Sequence, residues 1–561
     1  MMTETRCWHT YYPDEIPLTI NYNEKPLHAF LELTAKQSPK KRALYFKGKE
    51  LTFAAVYSQA KKVAGYLQSL GLRKGDRVAI MLPNCPQSVI SYYGVLMAGG
   101  IVVQTNPLYK ERELEYQLND SGAVFIICLD VLFPIVSGVR NNTALKHVIV
   151  SSIKDYLPFP KNFIYPFIQR KEYKRIVDVK SSAITHRWKV IMTTGSEQFT
   201  PVTVDPHQDL ALLQYTGGTT GHPKGVMLTH YNLTTNSQMA RHWLHRTTSG
   251  EESIIGLLPL FHVYGMTVVM NLSIMYGFKM ILIPKFDVED VLKTIQTQKP
   301  TMFPGAPTIY VGLLNHPSLK KYDLTSIDAC ISGSAPLPGD VQEQFEKETN
   351  GRLVEGYGLT ETSPVTHANF VWGKRVTGSI GVPWPDTDAK IIDMETGEAA
   401  ETGKIGELVV KGPQVMQGYW NNQEETNRVV QDGWFFTGDM GYMDEDGFFY
   451  IVDRKKDMII AGGYNIYPRE VEEVLYEHEA VQEAVVAGIP DPYRGETVKA
   501  YVVLNSGYDV TEEDLNTFCR NRIAVFKVPR IYEFRNELPK TAVGKILRRK
   551  LVEEDQKKMN K

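Results

Sequence analysis

Between Thr52 and Leu129 the chain switches repeatedly between two spacings of apolar residues, and this alternation restricts the fold more than any other feature. Thr52–Ser69 has helical spacing, and Arg77–Leu82 (RVAIML) is a short unbroken apolar run. Pro86–Ala98 returns to helical spacing. Ile101–Gln104, a polar helix near Glu111–Asn119 and the apolar run Ala123–Leu129 follow. Strands separated by helices need crossover connections, which are right-handed, so the sheet they build is mostly parallel. The predicted class is α/β.

At 561 residues the chain exceeds what one hydrophobic core usually supports, so at least two domains are expected. Beyond Val382 the texture becomes turn-rich: ETGKIGELVVKGP and DEDGFFYIV read as strands joined by Gly-containing turns. A self-contained tail follows, with helices at Arg469–His478 and Thr511–Ile523 and strands near Ala484–Ile489 and Val498–Leu504. The boundary is placed close to Asp453–Asp457, giving domains 1–455 and 456–561.

The formal net charge of −2 argues against a nucleic-acid partner, which would call for a basic excess. Five widely spaced cysteines, with no CxxC or Cys/His cluster, suggest neither a disulfide framework nor a zinc site, and point to a reducing, cytoplasmic compartment. The first residues mix charge with aromatics and show no secretory signal. Ile254–Phe278 lacks charged residues and is long enough to span a bilayer, but Gly256, Pro259, His262, Gly265, Asn271 and Gly277 interrupt it. It is read as buried core or the lining of an apolar pocket, with Met266–Tyr276 helical. Ser152–Ser196 is rich in Pro, aromatics and basic residues without a clean period; it reads as a surface insertion, with peripheral contact to the inner face of the membrane as the alternative.

The strongest local signal is Tyr215-Thr-Gly-Gly-Thr-Thr-Gly-His-Pro-Lys-Gly225, directly after the apolar DLALLQ. Gly217, Gly218 and Gly221 allow tight turning with N–H groups pointing inward, Thr216, Thr219 and Thr220 add hydroxyls, and Lys224 adds a positive charge that can move. Such a loop suits a polyphosphate. It is not a Walker A loop, since no GK[ST] follows at the required spacing. In order along the chain come LPLFHVYG (258–265), SGSAP (332–336), EGYGLTE (355–361), WFFTGD (434–439), DRKKD (453–457), GGYNIYP (462–468) and PKTAVGK (539–545).

This ordered set resembles the ANL superfamily of adenylate-forming enzymes, and most closely the bacterial long-chain fatty acyl-CoA synthetases. The resemblance covers nearly the whole chain. It implies a large N-terminal domain of parallel-rich sheets with helices and a small barrel-like part, and a small α+β C-terminal lid that moves. It implies ATP, Mg²⁺ and coenzyme A as cofactor and co-substrates, and a fatty acid as substrate. No nucleic acid is involved, and a homodimer is compatible with the sequence but not read from it.

Site residues follow position by position. The nucleotide side takes the 216–221 loop, Lys224, Gly333, Ser334, Ala335, Glu355, Gly356, Tyr357 and Gly358. The small residues let backbone approach a purine edge, and Tyr357 offers a flat face for stacking. By resemblance, Thr360 touches the α-phosphate, Glu361 holds Mg²⁺, Arg454 contacts the sugar, and Asp439 accepts from both ribose hydroxyls. His262 lies at the junction of acyl and pantetheine sites; a lone His in an apolar stretch is otherwise a core residue. Lys456 matches the hinge, and Gly462, Gly463 and Tyr464 the CoA region. Lys545 is the expected adenylation lysine, its ammonium cancelling the repulsion between a carboxylate and the α-phosphate. Taken alone, it would be one of many solvated lysines in a charged terminal helix.

One departure stands out: where related loops read T-S-G, this chain has Thr216-Gly217-Gly218, losing one hydroxyl but no amide. Aryl or medium-chain acids, or a carrier-protein acceptor, remain alternative chemistries. A non-catalytic lipid- or adenylate-binding scaffold would require the loss of Lys545, Glu361 or Asp439, and all three are present.

Overall fold

The computed structural model describes residues 6–173, 179–216, 223–461, 464–491, 494–541 and 546–559. They form two compact units, Met1–Asp388 with Lys411–Gly433, and Ala389–Val410 with Trp434–Lys561.

The first unit is built on an eight-stranded sheet. Its order is Gly418–Tyr419, Lys224–Thr229, Leu210–Thr216, Ile101–Gln104, Arg77–Met81, Phe125–Leu129, His147–Ser151 and Thr185–Arg187. The six strands from Leu210–Thr216 to Thr185–Arg187 are parallel; Lys224–Thr229 and Gly418–Tyr419 extend the sheet antiparallel. The expected alternation is therefore present, with helices at Phe53–Ser69, Pro86–Met97 and Glu111–Ser121 between or beside the strands. Strand residues such as Ala79, Ile126, Cys128, Val148 and Leu213 are fully or almost fully buried in one apolar cluster.

Local chemistry explains these helices. Thr52 caps Phe53–Ser69 by accepting from Ala55 N–H at 3.2 Å, and Phe53, Val56, Ala60, Val63, Ala64 and Leu67 form its buried stripe. Burying each large apolar side chain of that stripe contributes roughly 1.5–3 kcal/mol. Pro86 starts the next helix at a position where its missing N–H has no cost, and every residue of that helix is buried. A Cβ on Gly94 would lie 2.6 Å from Val63 Cβ, so this glycine sets the close approach of the two helices.

Ser152–Ser196 departs from a plain surface insertion. It contributes the edge strand Thr185–Arg187 and the fully buried Trp188, as well as the helix Lys161–Tyr173. Pro166 and the clustered aromatics mask the helix in the sequence, and the strand is only three polar residues. The uncharged stretch is buried core: Val263–Gly265 runs into a π-helical segment Met266–Asn271 and a short helix Leu272–Tyr276. Among the described residues, no helix is long and apolar enough to cross a membrane.

In the second unit, Gly406–Lys411, Trp434–Met443 and Phe449–Arg454 form an antiparallel sheet. Another sheet pairs Val481–Asp491 with Gly495–Leu504, flanked by Ile459–Ala461, Tyr464–Ile466 and Ile531–Phe534. Helices Pro468–Tyr476 and Glu512–Arg520 close its core with Val471, Leu475, Leu515 and Cys519. The terminal helix Arg548–Met559 is held by Leu551 in a small apolar cluster and by Asp555, which accepts from Lys499 Nζ at 2.6 Å.

Candidate active site

The Gly/Thr-rich sequence is flanked on both sides by strands of the central sheet. Its flanks are the antiparallel strands Leu210–Thr216 and Lys224–Thr229, in which Thr216 lies opposite Lys224. Gly217, Gly218, Thr219, Thr220 and Gly221 lie outside the described residues. Tyr116 pins the far end by donating to the Pro223 carbonyl at 3.0 Å. Trp420 donates to the Asp120 carbonyl at 3.0 Å, and the Tyr215 hydroxyl to the Asp120 carboxylate.

Lys224 is not a free charge. Its ammonium pairs with the Glu425 carboxylate, both side chains being largely shielded, and sits 5.1 Å above the Tyr419 ring. Arg428 also pairs with Glu425, and Arg428 with Lys224 holds that carboxyl down to about 2. The Tyr419 hydroxyl in turn donates to Glu361 Oε1 at 2.8 Å. Burial and then the Glu361 charge push the Tyr419 hydroxyl well above its ordinary pKa, so it stays a donor.

Tyr419 thus touches the two charged groups that sequence reasoning assigned to phosphate and metal. Neither Tyr419 nor Glu425 was among the expected site residues. Both lie between the motifs, and the only local signals were the strand-like GYW and the Asn422 side chain that caps Gln423–Val429.

Glu361 stands on the single turn Thr360–Thr362, where Met416 N–H donates to the Glu361 carbonyl at 2.8 Å. Thr267, in the π-helical segment, donates to the Ser363 carbonyl at 2.7 Å and ties the buried stretch to this turn. The preceding strand Arg352–Gly358 carries Glu355, Gly356, Tyr357 and Gly358, and lies parallel to Ala329–Ser332 with Ser332 opposite Glu355. Glu355 accepts from Leu337 N–H at 3.0 Å, so it braces the segment after Ser334 and Ala335. A Cβ on Gly358 would fall 2.0 Å from the Pro364 carbonyl oxygen, which no side chain tolerates. Tyr357 is half-buried, with its ring 5.9 Å from His367. Ser334 adopts φ 73°, the left-handed turn that delivers SGSAP, and a Cβ on Gly333 would press on the Tyr264 ring at 3.1 Å.

His262 accepts from Tyr264 N–H through Nδ1 at 3.3 Å at the start of Val263–Gly265. Asn84 holds the preceding loop, donating to the Gly256 and Leu258 carbonyls at 2.9 and 2.8 Å and accepting from Leu260 N–H at 2.8 Å.

In the second unit, Asp439 and Arg454 face each other across the hairpin, with Arg454 Nε 3.3 Å from the buried Asp439 carboxylate. Beside them Lys455 donates to Glu407 at 3.0 Å. Lys456 follows directly and is exposed. Gly462, Gly463 and Lys545 lie outside the described residues, and Tyr464 is described by its backbone as the start of Tyr464–Ile466. The flanks of PKTAVGK are paired: Ile546 bridges to Lys540, and Leu547 N–H donates to the Pro539 carbonyl at 2.7 Å. Arg548 is largely buried and reaches Asp457 at 3.0 Å, Glu472 at 2.8 Å and Asp453 at 3.5 Å.

With this geometry in hand, comparison with known proteins decides the family. Residues 31–420 match the AMP-binding enzyme family, and residues 470–545 match the AMP-binding enzyme C-terminal domain. The chain belongs to the AMP-binding enzymes. A long-chain-fatty-acid–CoA ligase of Bacillus subtilis (strain 168) is 59% identical over 555 residues, 99% of both chains. One of Salmonella typhimurium is 40% identical over 99% of both. ATP-bound MatB from Rhodopseudomonas palustris superimposes with a TM-score of 0.82 at 30% identity, over 94% of this chain and 99% of that one. The anthranilate CoA ligase AuaEII in complex with anthranoyl-AMP gives 0.85 at 28% identity, over 98% and 99%.

For an AMP-binding enzyme the residues of the first unit fit a magnesium nucleotide. Thr360 and Glu361 carry oxygen atoms of the kind a hard cation prefers, and Lys224, paired with Glu425, carries a positive charge. Among the described residues no group of three or more His, Cys, Asp or Glu is placed to hold a metal on its own.

Proposed function

We propose that this chain is a long-chain fatty acid–CoA ligase that works through an acyl-adenylate. The fatty carboxylate attacks the α-phosphorus of ATP, forming acyl-AMP and releasing pyrophosphate. The CoA thiol then attacks the acyl carbonyl, losing its proton as AMP departs. Uphill thioester formation is thereby coupled to breaking the α–β bond. The full-length 59% identity to a protein of that name carries the reading.

In this assignment Lys224 and the 216–221 loop take the phosphates, Thr360 the α-phosphate, and Tyr357 with Gly333–Ala335 the adenine. Asp439 and Arg454 take the ribose. Glu361 would hold Mg²⁺, which when bound would offset charge on the phosphates. Tyr419 orients that carboxylate. Lys545 brings its ammonium between carboxylate and α-phosphate, and His262 orients the acyl–thiol junction. The 456–561 domain turns about Lys456, so that Lys545 serves adenylation while Gly462–Tyr464 serves CoA. The buried segment Gly265–Ile274 walls the acyl chain, which gains affinity with each methylene. The enzyme works in the cytoplasm, with peripheral contact to the inner membrane face.

Pyrophosphate release measured for saturated acids of increasing length and for benzoate tests this, with CoA and with acyl-carrier protein as acceptors. Turnover rising toward long chains with CoA supports it. A preference for benzoate, or for the carrier protein, contradicts it.

A further inference from the structure

The exposed apolar side chains of the first unit are concentrated. Phe159, Phe163 and Phe167 are 83%, 77% and 69% exposed, the three most exposed phenylalanines among the described residues, and Ile164 beside them is 49% exposed. All four lie within or just before the helix Lys161–Tyr173. The helix is two-faced. Gln169 is buried and donates to Asp130 at 2.9 Å, which anchors the inner face, while Phe163 and Phe167, four residues apart, share the outer one.

The charge of this sequence segment is one-sided. Residues 152–196 contain nine Lys or Arg against three Asp or Glu, in a chain whose net charge is −2. Lys161, Arg170 and Lys171 on the helix are exposed. Asn162 faces a cavity of about 690 Å³ whose lining includes Lys49, Lys154, Arg187 and Lys189 against Asp130 and Asp155. A protruding aromatic face bordered by cations suits the boundary between acyl chains and anionic headgroups. A second copy of this chain would bring the same cations against one another, which disfavours self-association through this face.

We propose that the outer face of Lys161–Tyr173 is the membrane-docking surface of this protein and that its partner is an anionic phospholipid bilayer. Phe159, Phe163, Ile164 and Phe167 enter the acyl boundary, and the surrounding Lys and Arg meet headgroup phosphates. This deepens the peripheral-membrane reading above by naming the surface and the lipid charge.

The test is co-sedimentation of the full-length protein with phosphatidylcholine vesicles, with and without phosphatidylglycerol. It is run for the wild type, for Phe163→Ser with Phe167→Ser, and for Arg170→Glu with Lys171→Glu. CoA-dependent turnover of octanoate and the melting temperature verify that each variant is folded and active. The wild type is expected to partition onto phosphatidylglycerol vesicles in a salt-sensitive way. Both double variants are expected to lose about tenfold or more of that partitioning while octanoate turnover stays unchanged. Equal binding to both vesicle types, or folded variants that sediment like the wild type, overturns the proposal. So does sedimentation-velocity evidence that the Phe substitutions split a dimer without changing vesicle binding. A wild type that binds vesicles but turns over no fatty acid leaves the surface standing and removes the ligase reading.

Discussion

The Tyr419 hydroxyl donates to Glu361 Oε1 across 2.8 Å, while its ring lies 5.1 Å from the Lys224 ammonium. One side chain thus fixes the carboxylate and borders the cation assigned to the nucleotide. Its strand Gly418–Tyr419 pairs with Lys224–Thr229 at the edge of the central sheet, with Tyr419 opposite Val226. Tyr419→Phe keeps the ring and removes the donor. A hydrogen bond to a charged group is worth about 1.5–3 kcal/mol, so kcat/KM of adenylation is expected to fall roughly tenfold to a hundredfold. ATP–pyrophosphate exchange measures this, and exchange within about twofold of the wild type would remove the positioning role.

Glu425 holds Lys224 in place, and Glu425→Gln releases it. The expected outcome is a rise of about tenfold in KM for ATP with thioester formation from supplied acyl-AMP unchanged. An equal loss in both half-reactions would mean that the pair only stabilises the fold.

Arg548 pairs with three carboxylates, Asp453, Asp457 and Glu472, at the root of the terminal helix. Burial raises the Glu472 carboxyl above its ordinary range, and the Arg548 charge opposes that shift. Arg548→Ala strands these groups and is expected to destabilise the second unit by about 3–5 kcal/mol. Chemical denaturation followed by limited proteolysis of the C-terminal region reports it. An unchanged midpoint would contradict it.

Two buried imidazoles, His230 and His367, and the half-buried His28 set an acid limit. Burial lowers His28 to about 4 and His230 and His367 to about 3, and His230 accepts from Leu27 N–H at 3.2 Å as a neutral ring. In the unfolded chain each takes a proton near about 6.5. Below that pH the unfolded state binds more protons, so their contribution is complete above about 6.5 and is lost as pH falls toward 4 and then 3. His230→Gln is expected to flatten the decline of denaturation midpoint between about pH 6.5 and 4. A slope equal to that of the wild type would exclude His230 as a source.

The parallel sheet was legible because its strands are short, mostly apolar and separated by helices with clean stripes; Phe53–Ser69, Pro86–Met97 and Phe125–Leu129 fall where periodicity puts them. The edge strand Thr185–Arg187 was not, because Thr-His-Arg is polar throughout and too short to show a period. Motif residues such as Glu361 and Asp439 stand out through their neighbours in sequence. Tyr419 and Glu425 do not, since their roles come from strand pairing with a segment nearly 200 residues earlier. Arg548 looked like part of a solvated helix because its three carboxylate partners are distant in sequence.

The most direct measurement separates the two half-reactions of Lys545→Ala in single-turnover experiments. Adenylation, followed by pyrophosphate release from ATP and palmitate, is expected to vanish, while conversion of supplied palmitoyl-AMP and CoA to the thioester stays close to wild type. Equal loss of both steps, or adenylation that survives, would contradict a lysine that serves the first step alone.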